Sequence, residues 1–487
     1  MIDLSVGGKS FSRYPLNFYY WILILILGLS CCTPPGGNQK IPQVTVTIRN
    51  TLPGERKSVP IVITLEELRN IAPDFSFDAY LVVSGQPPVE IHSQADDTNY
   101  DGQKDELVFL VDLKPHETKI ATVRYSPNNP MSLTIGFTRR THAGIFPELN
   151  GLAALESELG AYLLKHNGAV QAYGKKAALL FELESHPDTL LESRGPVPPE
   201  LSRAFQTNDI QLSRQTKIET QKPDHSWLIT DLEHQQRYVL RAADAKMSVY
   251  KAKELSINHI VHQIVTEPDA DTAPMTPLNP TDDLIGCGGF AIWDKANQQL
   301  IAPSQGTNYV RVLADGPVRA VIQLIIPDWK LNGDSVQLKS TFYIYAGNRW
   351  VEHRINVQGL SSEYRIATGI PSLGSEVERN RTEGWLSNWW DATEASTSAG
   401  IGMGITYPTD GVDTFAEVIL PGSKTSISTV IMRPNTQGEV TYRLLSVWGV
   451  EDDDIQTQAD FDQYVRAVSR EIQTPPEIQL QSQTPKE

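Results

Sequence analysis

The chain has 487 residues, 40% of them hydrophobic, and a formal net charge of -16. It is long enough to bury a sizeable core, and its acidic balance argues against nucleic acid as a partner and against long-range attraction of an acidic polymer. Of its three cysteines, two are the adjacent Cys31 and Cys32, which leaves Cys287 alone in the body and no structural disulfide there.

In chain order, Lys9 and Arg13 precede an apolar run over residues 19–29 that ends at Ser30, Cys31 and Cys32. Roughly 11 apolar residues are too few for an ordinary membrane span, and small residues at the end of such a run mark an export signal. A cysteine at that point predicts a lipoprotein, with Cys32 favoured over Cys31 as the lipidated residue. The membrane is then a partner through a lipid anchor, and the location is the cell envelope, an outer-membrane lipoprotein facing the periplasm or the surface. Residues 1–32 form the signal and the Pro/Gly stretch 33–40 a tether.

Alternating apolar residues predict strands over 44–48, 59–64, 107–113, 119–125 and 133–137, with a short Thr-capped helix over 64–71. Between them lies Asp97-Thr98-Asn99-Tyr100-Asp101-Gly102-Gln103-Lys104-Asp105, which sets oxygen-bearing side chains at alternate positions and turns at a glycine. Calcium takes such ligands, so Asp97, Asn99, Asp101 and Asp105 are candidates for a structural calcium site. The alternative is a polar turn in which the same side chains bond the backbone. Residues 41–130 make a small N-terminal β-sandwich-like subdomain, 131–475 a large β domain, and 476–487 a polar tail.

Further on, an Asn-Gly turn at Asn167-Gly168 predicts a hairpin joining 160–164 with 169–173. A second hairpin at Asp315-Gly316 joins 309–313 with 318–326, and paired strands continue over 336–345 and 350–357. The stretches 196–199 and 268–280 are loops, and the clearest helix is 460–472, where Phe461, Tyr464, Val465, Val468 and Ile472 form one stripe. The fold class is therefore mainly β, sandwich-like, with few helices.

Several of these features occur together: the Asp-rich turn, Glu156-Ser157-Glu158 with Tyr162, Tyr173-Gly174-Lys175, the glycine-rich strand Gly286-Cys287-Gly288-Gly289-Phe290-Ala291-Ile292-Trp293, and a strand over 442–448. In these the chain resembles domain-of-unknown-function family 4861, exported proteins associated with polysaccharide degradation. The resemblance implies a galactose-mutarotase-like β-supersandwich and the dehydration of a uronic acid at an oligosaccharide end. Where the family pattern leads to a compact histidine-containing segment, this chain carries the stretch 266–283.

Removing water across C4 and C5 of a uronic acid requires a base for the proton beside the carboxylate, a cation for the developing charge and an acid for the departing hydroxyl. His259, His262, Tyr173 and Lys175 are the catalytic candidates. Arg140, Glu156, Glu158, Tyr162 and Trp389 are the substrate-binding ones. Each also has a plainer role: packing and solvation for Tyr173 and Lys175, polar loop residues for the histidines, core for the tryptophan. No organic cofactor is expected. The expected partner is an oligosaccharide, and two other functions stand beside the hydro-lyase: a non-catalytic glycan-binding surface lipoprotein and a glycoside hydrolase.

Overall fold

The computed structural model describes residues 41–126, 137–145, 151–165, 167–175, 178, 180, 284–303, 309–372, 376–390, 400–419, 426–449, 451–452 and 454–482, and the backbone strands within 216–251 and at 275–277. It is mainly β, with two α-helices among the described residues.

The N-terminal sandwich follows from period-two alternation. Gln43–Arg49 buries Val44, Val46 and Ile48, and Thr118–Tyr125 answers with Ala121 and Val123 across an antiparallel register. The facing sheet joins Arg56–Thr64, Glu106–Leu113 and Ser93–Asp96. Its inward residues Ile61, Ile63, Leu107 and Phe109 close the core, each contributing about 1.5–3 kcal/mol by leaving water. The helix Leu65–Ile71 starts at Thr64 as expected, with a capping box to Glu67. Residues 476–487, expected as a polar tail, instead supply the strand Glu477–Ser482, which pairs with Gln43–Arg49 and completes this sandwich. Its alternation is weak because it lies on an exposed edge.

The larger body is built around an eight-stranded antiparallel sheet that includes Tyr309–Asp315, Arg319–Leu331, Asp334–Tyr345, Val351–Gln358 and Glu439–Trp448. Both expected hairpins form. One face of this sheet, through Ile322, Phe342, Ile344, Val351, Met403 and Leu444, packs on a layer made of two five-stranded sheets. The first of these orders Met275–Pro277, Val170–Lys175, Ala161–Lys165, Gly151–Ser157 and Thr141–Ile145. The second contains Ala291–Asp294, Tyr364–Pro371 and Ser426–Met432. The opposite face carries Trp385, Trp389, Leu445 and Val447, covered by Val108 of the N-terminal sandwich and by Phe461, Val465 and Val468 of the helix Gln458–Gln473.

Two expectations change here. The glycine-rich run was expected to be strand from Gly286 onward, yet only Ala291–Asp294 is strand. Gly286 to Gly289 instead stitch the two five-stranded sheets together, with Val170 N–H donating to Ile285 O and Cys287 N–H to Val170 O at 3.0 and 2.8 Å. A Cβ on Gly286 would lie 2.2 Å from Val170 O, and its φ is +65°, so glycine is required by both space and conformation. Second, the stretch 268–280, expected as loop, contributes the edge strand Met275–Pro277 against Tyr173–Lys175.

Candidate functional site

The sheet containing Val170–Lys175 has two unlike faces. Ala143, Leu155, Tyr162, Leu164, Val170 and Ala172 point into the main core. The alternate residues point away from it, and cross-strand pairing aligns them: His142 opposes Glu156, Glu156 opposes Ala161, and Ala161 opposes Tyr173. Such a face would ordinarily be wet. Here Glu156 and Lys175 are each 2% exposed, His142 5% and Gln171 1%.

Buried polar groups need partners, and this face supplies them. Lys175 Nζ donates to Glu156 Oε2 at 2.6 Å and to Ser157 O at 2.5 Å. Burial lowers the Lys175 pKa from its usual value, opposed by the charge of Glu156. The Tyr173 phenol is pushed up to about 12 by burial, so it is a proton donor at neutral pH. His142 Nδ1 lies 3.1 Å from Asp315 Oδ1, whose other oxygen is 3.1 Å from Arg139 Nη1. Arg139 Nη1 also lies 3.2 Å from Nδ1; in the tautomer whose Nδ1–H donates to Asp315, Nε2 is the basic nitrogen, as a general base requires. At the end of the strand Val170–Lys175, Glu451 Oε1 accepts from the Lys175 N–H at 2.6 Å, and burial raises its pKa to about 7. Arg349 braces it, lying 3.6 Å from Glu451 and 3.0 Å from Asp452.

Of the residues singled out in the sequence, Glu156, Tyr173 and Lys175 gather on this face, and Arg140 and Glu158 meet in an ion pair at its border. Tyr162 does not join them. One position out of phase, it turns into the core, where its hydroxyl donates to Arg349 O at 2.5 Å and accepts from Ser446 N–H at 3.1 Å. Trp389 is also core, 3% exposed with its ring 5.9 Å from that of Phe461, because its strand is covered by the C-terminal helix. His259, His262 and Cys32 lie outside the described residues. His142, Asp315 and Glu451 were missed. Residues 141–145 lack a strong alternating pattern, Asp315 reads as a turn residue, and Glu451 follows a strand end.

The Asp-rich loop bonds itself. Asp97 accepts from the N–H groups of Tyr100, Asp101 and Gly102 at 2.6, 3.1 and 2.7 Å, and Asp105 accepts from those of Thr98 and Asn99 at 3.0 and 3.1 Å. The Asn99 and Asp101 side chains accept from the N–H groups of Asp101 and Gln103, both at 2.8 Å. Among the described residues no group of three or more His, Cys, Asp or Glu side chains is arranged to hold a metal ion. The turn reading accounts for every one of these contacts.

The fold and this face define a mainly β, two-layer protein with a buried acid–base surface. The family model "Domain of unknown function (DUF4861)" matches residues 48–154 and 284–478, and the chain belongs to that family. The uncharacterized protein P7 of Formosa agariphila is 23% identical over 196 residues, 40% of this chain and 47% of its own length. The chain thus matches about half the length of that relative. Among solved structures, a glycosyl hydrolase family 38 protein from Enterococcus faecalis aligns at TM-score 0.43 and 9% identity over 91% of this chain and 48% of its own. An alpha-mannosidase from Enterococcus faecalis V583 aligns at 0.39 and 8% over 91% and 46%. Likenesses this slight do not bear on the reading of the site.

Proposed function

We propose that the protein is a carbohydrate-active lyase of the hydro-lyase type, which eliminates water from a uronic acid at the non-reducing end of an oligosaccharide. The observation that supports this reading is the single buried face on which Tyr173, Lys175, Glu156 and the His142–Asp315 pair stand together. The reaction breaks the C5–H bond, forms a C4=C5 double bond and releases the C4 hydroxyl as water. His142, oriented by Asp315, takes the C5 proton, or His259 or His262 does. Tyr173, held protonated by burial, gives a proton to the departing hydroxyl. Lys175 steadies the charge that develops on the substrate carboxylate, with Glu156 fixing its position.

A glycoside hydrolase would need one carboxyl of a pair to be an acid. Glu156 is matched by Lys175 and Glu158 by Arg140, so both carboxylates already serve as partners of a cation. The lyase reading is therefore preferred. Anchoring through Cys32 at the cell envelope belongs to the same proposal and rests on the apolar run ahead of it. No helix among the described residues is long and apolar enough to cross a membrane. Replacing both Cys31 and Cys32 with Ala should release the protein from the membrane fraction.

The reaction is tested with uronate-terminated oligosaccharides. Ultraviolet absorbance from the conjugated product should rise, with a mass loss of one water and no chain cleavage. Tyr173→Phe and His142→Asn should each lower the rate by about 10²- to 10⁴-fold while remaining folded. New saturated reducing ends would mean a hydrolase, and binding with no spectral change would mean a glycan-binding protein.

A further inference from the structure

Where the N-terminal sandwich meets the border of this sheet, polar atoms collect that have no hydrogen-bond partner among the described residues. Arg140 and Glu158 face each other one residue beyond the paired Thr141 and Ser157, and Arg140 Nη2 donates to Glu158 Oε1. The second oxygen, Glu158 Oε2, is buried with no hydrogen-bond partner among the described residues. From the other domain, the link between Val89–Glu90 and Ser93–Asp96 brings in His92, whose ring lies against Phe137 with centroids 4.1 Å apart. His92 Nδ1 is likewise buried and unpartnered among the described residues. Leaving such atoms unpaired destabilises the fold, and a ligand supplying donors would offset that.

We propose that His92, Arg140 and Glu158 form a subsite for a vicinal diol of a sugar ring, a subsite that exists only because the N-terminal sandwich supplies its third member. It rests on reading the adjoining buried face as a carbohydrate site. The chemistry is matched group by group. One hydroxyl donates to Glu158 Oε2 and its neighbour to His92 Nδ1, while Arg140 donates to a hydroxyl oxygen. Burial and the charge of Arg140 lower the pKa of His92, which keeps the ring neutral and Nδ1 available as an acceptor. The three side chains then sum to no net charge. That suits neutral hydroxyls, whereas an anionic group would meet the Glu158 carboxylate. Phe137 adds an apolar ring beside the diol, as sugar C–H faces require. Arg140, expected from the sequence among the substrate-binding residues, is thereby assigned to hydroxyl binding, which leaves the carboxylate to Lys175.

The test is calorimetric titration of the full-length protein with a uronate-terminated oligosaccharide and with analogues lacking either the O2 or the O3 hydroxyl of the terminal sugar. His92→Ala and Glu158→Gln should each weaken binding of the parent ligand about tenfold, and His92→Asn, a milder change, by less. Against the deoxygenated analogue that has lost the matching hydroxyl, the same variant should cost nothing further. In turnover, KM should rise while kcat stays near wild type, and an unchanged melting temperature shows that folding is intact. Parent binding unaffected in all three variants overturns the subsite while leaving the dehydration reading untouched. Failure of the wild-type protein to bind any of these ligands also overturns it. Variant-sensitive binding with no absorbance change keeps the subsite and removes the dehydration reading.

Discussion

The two faces of the sheet built on Gly151–Ser157, Ala161–Lys165 and Val170–Lys175 are equally dry and chemically opposite. Leu155, Tyr162 and Ala172 are buried among hydrocarbon, and of their immediate sequence neighbours Glu156 and Ala161 are buried and Tyr173 half-buried beside charge. A core built for stability alone has no need of the second arrangement, because a buried ion pair returns little of what its desolvation costs. Burial by itself therefore does not distinguish scaffold from site, but the kind of group buried does.

The sharpest way to break this comparison is to remove the cation from the polar face. Lys175→Met leaves Glu156 buried without its partner and should cost about 3–5 kcal/mol in urea denaturation. The double variant Lys175→Met with Glu156→Leu, which makes the outer face resemble the inner one, should recover most of that stability and remain inactive. If the single variant is as stable as wild type, the pair is not buried as described. One residue along, Leu155→Ala should cost about 3 kcal/mol by leaving a cavity, with activity per folded molecule unchanged. Loss of activity out of proportion to the unfolded fraction would show that the two faces are coupled.

Glu451, at the end of the polar face, links stability to pH. Its folded-state pKa of about 7 lies above the usual 4.5, so the folded protein retains this proton over a window in which the unfolded chain releases it. Its contribution is therefore complete below about pH 4.5 and is lost as pH rises to about 7. Midpoints of denaturation between pH 5 and 8 should fall with rising pH, and Glu451→Gln should flatten that slope. The smallest effect belongs to the Asp-rich loop. Asp97→Ala deprives three N–H groups of their acceptor and should cost about 1 kcal/mol, equally with and without chelator. A wild-type melting temperature that drops on chelation would make the loop a calcium site.

Strand alternation, the Asn-Gly turn and the Thr64 cap are local signals, which is why most of the elements were readable from the residues alone. The site was legible in part for the same reason. Tyr173 and Lys175 are two apart on a strand, so their common face follows from period two. Tyr162 needed the phase of its own strand relative to the core, which a five-residue run does not reveal. Pairing of His142 with Asp315 depends on a hairpin tip packing against a strand 173 residues away in sequence. Trp389 was ambiguous because aromatic residues serve core and sugar equally well, and only the covering helix decides between them.

The terminal strand Glu477–Ser482 has a consequence for how the chain is made. Arg49 and Glu477, joined across that strand pair, are 428 residues apart. During synthesis the N-terminal sandwich emerges with one flank of Gln43–Arg49 open, and it stays open until residues 477–482 have been added. An open flank of this kind is a template for pairing with another chain. The waiting time, set by translation rather than by folding, leaves this sandwich exposed to misassembly. A truncation that ends before residue 477 would hold the protein permanently at that stage.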